Sequence, residues 1–140
     1  LDFEKINTLE ELEKEIFRDR QLLESLEFID KNKLYQNISL IKSVSGKGQV
    51  HKEKQFVMSM PLNQTDDEIV VQGAIDFFSV NEREIVLIDY KYTSQNDEKI
   101  LKERYKSQLD LYESALSKAY PNKVIKKYLL SLKNAKIIEF

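Results

Sequence analysis

Two acids and a lysine near the middle of the chain have the types and spacing for phosphate-ester hydrolysis. Gly73-Ala74-Ile75-Asp76 and Ile85-Val86-Leu87-Ile88-Asp89-Tyr90-Lys91 each set a carboxylate at a core-like position of an apolar run. Residues i and i+2 of a strand share a face. Asp89 and Lys91 therefore project side by side with Ile85 and Leu87, while Val86, Ile88, Tyr90 and Tyr92 take the other face. A charge among Ile, Val and Leu costs several kcal/mol unless a metal or an ionic partner compensates. A hairpin through the turn Asn81-Glu82-Arg83-Glu84 would bring Asp76 close to Asp89. Two carboxylates that close repel, and one pKa rises unless a cation lies between them. Mg²⁺ suits such a pair, because it is held by one or two carboxylates with waters and substrate phosphate completing the octahedron. The spacing also leaves open a purely structural arrangement, in which Asp76 pairs with Lys91 or Arg83 and Asp89 ends a strand.

Two further side chains join this set. Glu53 lies in Lys52-Glu53-Lys54-Gln55-Phe56-Val57-Met58, a predicted strand on which it shares a face with Gln55 and Val57. By itself it is what many charged edge strands carry. Gln108 falls inside the apolar stripe of a predicted helix, Leu101, Tyr105, Tyr112, Ala115 or Leu116, and Ala119. A buried amide without a partner costs about 1–3 kcal/mol. Gln108 either sits beside the acids under a helix laid over the strand ends or reaches solvent at the helix boundary.

The elements that must position these residues read as follows. Thr8-x-x-Glu11 is a capping box ahead of Leu9, Leu12, Ile16 and Leu23 at helical spacing. Another helical segment covers about Leu26 to Val44, with Leu34, Ile38 and Ile41 apolar, and ends at Ser45-Gly46-Lys47-Gly48. Strands are predicted at about 49–60, 68–79 and 84–92, separated by turns at Asn63–Glu68 and Asn81–Glu84, as an antiparallel meander. Ser94-x-x-Asp97 caps a helix over 98–119, which Pro121-Asn122 stops. Val124–Leu132 and Ile137–Phe140 read as last strands. The order is that of an α/β domain.

Composition narrows the function. The 140 residues are 41% apolar, enough for one domain with a real core. No segment approaches the roughly 18 uninterrupted apolar residues of a membrane span. The absence of cysteine removes disulfides, thiolate zinc sites and iron–sulfur clusters, and is compatible with a reducing cytoplasm. The net charge of −2 is unlike that of an autonomous nucleic-acid binder. Lysines at 123, 126, 127, 133 and 136, and Lys102, Arg104 and Lys106 on the long helix, form either a basic patch or a solvated face. Gly46-Lys47-Gly48-Gln49 has neither the spacing nor the hydroxyl of a phosphate-binding P-loop, so no ATPase motor is encoded in these residues. The start at Leu-Asp-Phe-Glu-Lys reads as a piece of a longer chain.

Glu53, Gly73-x-x-Asp76, Asp89-Tyr90-Lys91 and Tyr105-x-x-Gln108-Leu109-x-x-Tyr112 occur together and in order. This set resembles the RecB-like branch of the PD-(D/E)XK nuclease superfamily. Within it, the chain looks most like the nuclease domains of AddA-type (RexA-type) subunits of bacterial helicase–nucleases. The resemblance spans most of residues 8–132, with the sharp motifs in 53–112. It implies a restriction-endonuclease-like core, a central mixed β-sheet flanked by helices, in a single domain over 1–140. It also implies an Mg²⁺-dependent DNA exonuclease, with Mn²⁺ able to substitute, serving double-strand break repair and recombination. ATP would enter through motor domains outside this sequence, and an AddB/RexB-type subunit would be the heterodimeric partner. Asp76, Asp89 and the Tyr90 carbonyl would be metal ligands. Lys91 would orient or help deprotonate the attacking water, and Glu53 would assist at the metal. Gln108 and Tyr112 would orient the site and the DNA. The chain departs from the pattern at Lys52 and Gln55, where the family has Arg and Pro, and at Tyr92, where it has Thr. The family's upstream histidine ligand has no match, because the sole histidine, His51, lies on a strand beside Glu53. That ligand is expected outside these residues. Two other readings are a non-catalytic DNA-binding or docking scaffold of the same fold and a stand-alone nuclease.

Overall fold

The computed structural model describes residues 5–18, 30–45, 48–61 and 67–140. The expectations placed on Leu23, on a helix start near Leu26, on the turn over 63–66 and on the Gly46-Lys47 bend lie outside the described residues.

Helix α1 (Leu9–Arg18) starts at the expected capping box. Thr8 Oγ1 accepts the Glu11 N–H at 3.2 Å, and Glu11 Oε2 accepts the Thr8 N–H at 3.1 Å, so two orphan donors are satisfied reciprocally. Helix α2 (Lys31–Ser45) is opened by Asp30, whose Oδ1 accepts the Lys33 N–H. Leu12, Ile16, Leu34, Ile38 and Ile41 are buried, as their spacing requires.

Five strands follow: β1 (Gln49–Pro61), β2 (Glu68–Val80), β3 (Glu84–Lys91), β4 (Val124–Ser131) and β5 (Lys136–Glu139). They form one sheet in the order β1-β2-β3-β4-β5. β1–β2, β2–β3 and β4–β5 are antiparallel, whereas β3–β4 is parallel. A parallel pair needs a long crossover, and helix α3 (Glu98–Ala119) supplies it. Asp97 is the N-cap, its Oδ1 accepting the N–H groups of Lys99 and Ile100. Ser94 takes no part in the cap; its hydroxyl instead accepts from Lys133 Nζ.

The sheet is covered on both faces. α1 and α2 pack with Phe77, Val86, Ile88 and Leu130 on one side. α3 packs over Phe78, Ile85 and Leu87 through Leu109, Tyr112 and Leu116, and over Leu129 and Ile138 through Leu101. The buried line of α3 is thus Leu101, Leu109, Tyr112 and Leu116, while Ala119, expected in the stripe, is exposed.

The lysines noted in the sequence are largely engaged within the fold. Lys102 pairs with Glu98, Lys106 with Asp110, Lys126 with Glu84, and Lys127 with both Asp110 and Glu113. Lys123 donates to the carbonyls of Asn81 and Glu82, and Lys136 to that of Asn96. The Lys102 and Lys106 pairs lie within α3, while the contacts of Lys123, Lys126, Lys127 and Lys136 tie the β4–β5 region to β3, α3 and the neighbouring turns. Among the C-terminal lysines Lys126 and Lys127 are thus paired with carboxylates, whereas Lys123, Lys133 and Lys136 bond neutral oxygens and keep their charge.

Candidate active site

The acids meet where the ladder between β2 and β3 ends. Pairing runs from Val80↔Ile85 to Phe77↔Ile88, and one more step of the same register would set Asp76 opposite Asp89. Instead the ladder stops, and Asp76 Oδ2 accepts the Tyr90 N–H at 2.9 Å. The side chain replaces the missing strand hydrogen bond and brings its carboxylate against Asp89.

Asp89 is 1% exposed, on the α3 face that its parity with Ile85 and Leu87 predicts. Lys91 Nζ lies 3.2 Å from Asp89 Oδ2, close enough for ionic attraction but not aligned as a hydrogen bond, so Oδ2 is a buried acceptor lacking one. Lys91 pairs with Asp89 and not with Asp76, contrary to the purely structural arrangement. Burial pushes the Asp89 carboxyl up to about 7, the hydrogen bond with Asp76 and its charge push the same way, and the Lys91 ammonium resists.

Glu53 stands across from Asp76. The β1–β2 register pairs Lys52 with Phe77 and Lys54 with Ile75 and skips Glu53 and Asp76 between them. Glu53 has φ 49°, a left-handed backbone that costs a non-glycine residue roughly 1 kcal/mol or more. Side-chain alternation reverses at this level. Val50 joins the α1/α2 core and Phe56 the α3 core, although both are even-numbered. On β2, Phe77 and Ile75 divide in the same way. The strict alternation expected along β1 is therefore corrected: it breaks between Val50 and Phe56, at the level of the positive φ of Glu53. Replacing Glu53 by Gly or by Ala removes the same carboxylate, but only Gly relaxes the backbone. Glu53→Gly should be about 1 kcal/mol more stable than Glu53→Ala in urea denaturation.

Helix α3 brings the remaining side chains. Gln108 is half-buried and donates through Nε2 to the Tyr112 hydroxyl at 2.8 Å. Tyr112 is buried, and burial followed by the negative charge of Asp89 raises its phenol pKa. Its ring meets Phe56 edge-on, with centroids 5.7 Å apart. Phe56 in turn lies over Gly73, where a Cβ would stand 2.8 Å from the ring. That close approach accounts for the glycine of Gly73-x-x-Asp76. The Lys91 ammonium lies over the Tyr105 ring, 5.2 Å from its centroid. Helical periodicity places Tyr105 in the apolar stripe without giving it a role. Its spacing from Gln108 and Tyr112, at i, i+3 and i+7, is the signal that points to the site.

Two residues fall outside the cluster. Tyr92 packs against the α1/α2 core on the opposite face, with Lys133 over its ring. His51 stacks on Phe78 at 4.6 Å. Among the described residues no three or more His, Asp or Glu side chains converge as a metal cage. The donor set is then two carboxylates, all hard oxygen, with one buried oxygen lacking a hydrogen bond. That set fits Mg²⁺, which takes few protein ligands and keeps its waters.

A mixed five-stranded sheet with paired acids and a lysine at the end of a ladder defines a nuclease-type core. The chain belongs to the PD-(D/E)XK nuclease superfamily, whose family model matches residues 5–139. It is similar to the A subunits of bacterial proteins named ATP-dependent helicase/nuclease. That of Clostridium botulinum (strain Alaska E43 / Type E3) is 32% identical over 151 residues, covering 94% of this chain and 12% of the relative. That of Streptococcus pneumoniae (strain CGSP14) is 40% identical over 83 residues, covering 59% of this chain and 7% of the relative. The Exonuclease/helicase subunit RexA of Streptococcus pneumoniae serotype 4 is 39% identical over 83 residues, 59% of this chain and 7% of its own length. The chain thus spans about a tenth of the length of these relatives.

Proposed function

We propose that this protein is an Mg²⁺-dependent deoxyribonuclease, the exonuclease domain of an ATP-driven helicase–nuclease that processes double-strand breaks for recombinational repair. DNA is its substrate, and an AddB/RexB-type subunit is the partner of the parent chain in the cytoplasm. One observation carries the catalytic reading. Asp89 is buried beside a second carboxylate with an oxygen that lacks a hydrogen bond, an arrangement that destabilises a domain unless a cation uses it.

Asp76, Asp89 and the Tyr90 carbonyl are the proposed ligands. Bound there, Mg²⁺ would lower the pKa of a water and stabilise charge on the phosphate under attack. Lys91, fixed beside Asp89, orients the attacking water and adds positive charge where the phosphorane charge develops. Glu53 faces the same level from β1 and assists at the metal. The Gln108–Tyr112 hydrogen bond keeps the α3 face rigid against the strand ends, so that acids and DNA meet in one geometry.

The test is degradation of linear DNA in Mg²⁺ or Mn²⁺ by the protein and by Asp89→Ala. Cleavage that needs the metal and disappears in the folded variant supports the proposal. Equal cleavage by both would show that Asp89 is not part of the site. DNA binding without cleavage by either would favour the scaffold reading.

A further inference from the structure

We infer that Tyr105 is a positioning residue that holds the Lys91 ammonium in place when a metal occupies the carboxylates. The inference rests on the nuclease reading above. Lys91 Nζ has two partners among the described residues, Asp89 Oδ2 at 3.2 Å and the Tyr105 ring at 5.2 Å. The first is the oxygen that a dication would claim. Once it is shared, the attraction between lysine and carboxylate weakens, and the ammonium faces a like charge. A flexible four-carbon side chain that is 24% exposed would then swing toward solvent. The ring is a neutral partner that a metal does not compete for, and its π-face attracts a cation within about 6 Å.

The ring is also anchored. Tyr105 packs against the cluster of Leu101, Leu129 and Ile138, so it is braced by both α3 and the sheet. Because the contact is made by the ring face, phenylalanine should serve nearly as well as tyrosine, and leucine should not.

Single-turnover cleavage of linear DNA in Mg²⁺ by Tyr105→Phe and Tyr105→Leu tests the role. The expected result is near-normal cleavage by Tyr105→Phe. Tyr105→Leu should lose roughly 2- to 30-fold in rate, with the DNA concentration for half-maximal rate unchanged. In a Lys91→Ala background the leucine substitution should cost nothing further. An equal loss in the phenylalanine variant, or the same leucine effect without Lys91, would overturn the inference.

A second readout needs no cleavage. The ε-methylene protons of Lys91, assigned by their loss in Lys91→Ala, should be shifted upfield by the ring in the protein and in Tyr105→Phe. The shift should persist at Mg²⁺ concentrations that saturate the rise in melting temperature. Its disappearance on adding Mg²⁺ would overturn the inference. A persistent shift in a protein that fails to cut DNA would instead count against the nuclease reading alone.

Discussion

Asp89→Asn is expected to abolish cleavage and, at the same time, to make the metal-free protein more stable at pH 8. The carboxyl of Asp89 titrates near 7 in the folded protein against 3.8 as a free side chain. The folded state therefore binds this proton more tightly than the unfolded state does. Stability from this group is fully present below pH 4 and is lost as pH rises to 7. The loss is on the order of 4 kcal/mol. Asparagine is neutral at every pH and reproduces the protonated acid. Its amide N–H can donate to Asp76 while its oxygen faces Lys91. Urea titrations from pH 4 to 8 without divalent metal should show the native protein weakening across this window, with Asp89→Asn much flatter. Saturating Mg²⁺ should raise the melting temperature of the native protein and not of the variant. A variant less stable than the native protein at pH 8 would mean that burial of Asp89 is already compensated without a cation.

Leu109→Ala should have the largest purely structural effect. Leu109 is fully buried on α3, packed over Ile75, Phe78, Ile85 and Leu87. Truncating a buried leucine costs about 3–5 kcal/mol, the upper part of the range applying where the surroundings cannot collapse into the cavity. Rigid strand side chains on one side and the neighbouring turns of α3 on the other favour that upper part. The expected signature is a melting temperature lower by about 10 °C or more. Leu109 lies next to Gln108 and one turn from Tyr105 and Tyr112, so cleavage should fall below the unfolding temperature as well. A change smaller than about 1 °C would mean that α3 is held mainly by Leu101 and Leu116.

Much of this was legible in the amino-acid sequence. Thr8-x-x-Glu11, the helical spacing of Leu34, Ile38 and Ile41, and the apolar runs ending in Asp76 and Asp89 are local signals. Hydrogen-bond chemistry and periodicity act over a few residues, so they survive reading along one dimension. That locality made the elements, the α/β class, the paired acids and Lys91 recoverable before any packing was known.

What the tertiary structure decided was which groups meet. The end of the β2–β3 ladder at Phe77↔Ile88 leaves Asp76 to bond Tyr90 and abut Asp89. The left-handed Glu53 reverses the faces of β1 at the level of the acids, and no propensity of glutamate announces it. Lys127 became an ion-paired residue because the parallel β4 lies under α3, which brings it to Asp110 and Glu113. Tyr105 came to rest over Lys91 through the docking of α3. Each outcome depends on the register and docking of segments far apart in the chain, where many alternatives differ by a few kcal/mol. Those differences arise only when whole surfaces pack, so they are properties of the assembled sheet and helices and not of any short stretch of residues.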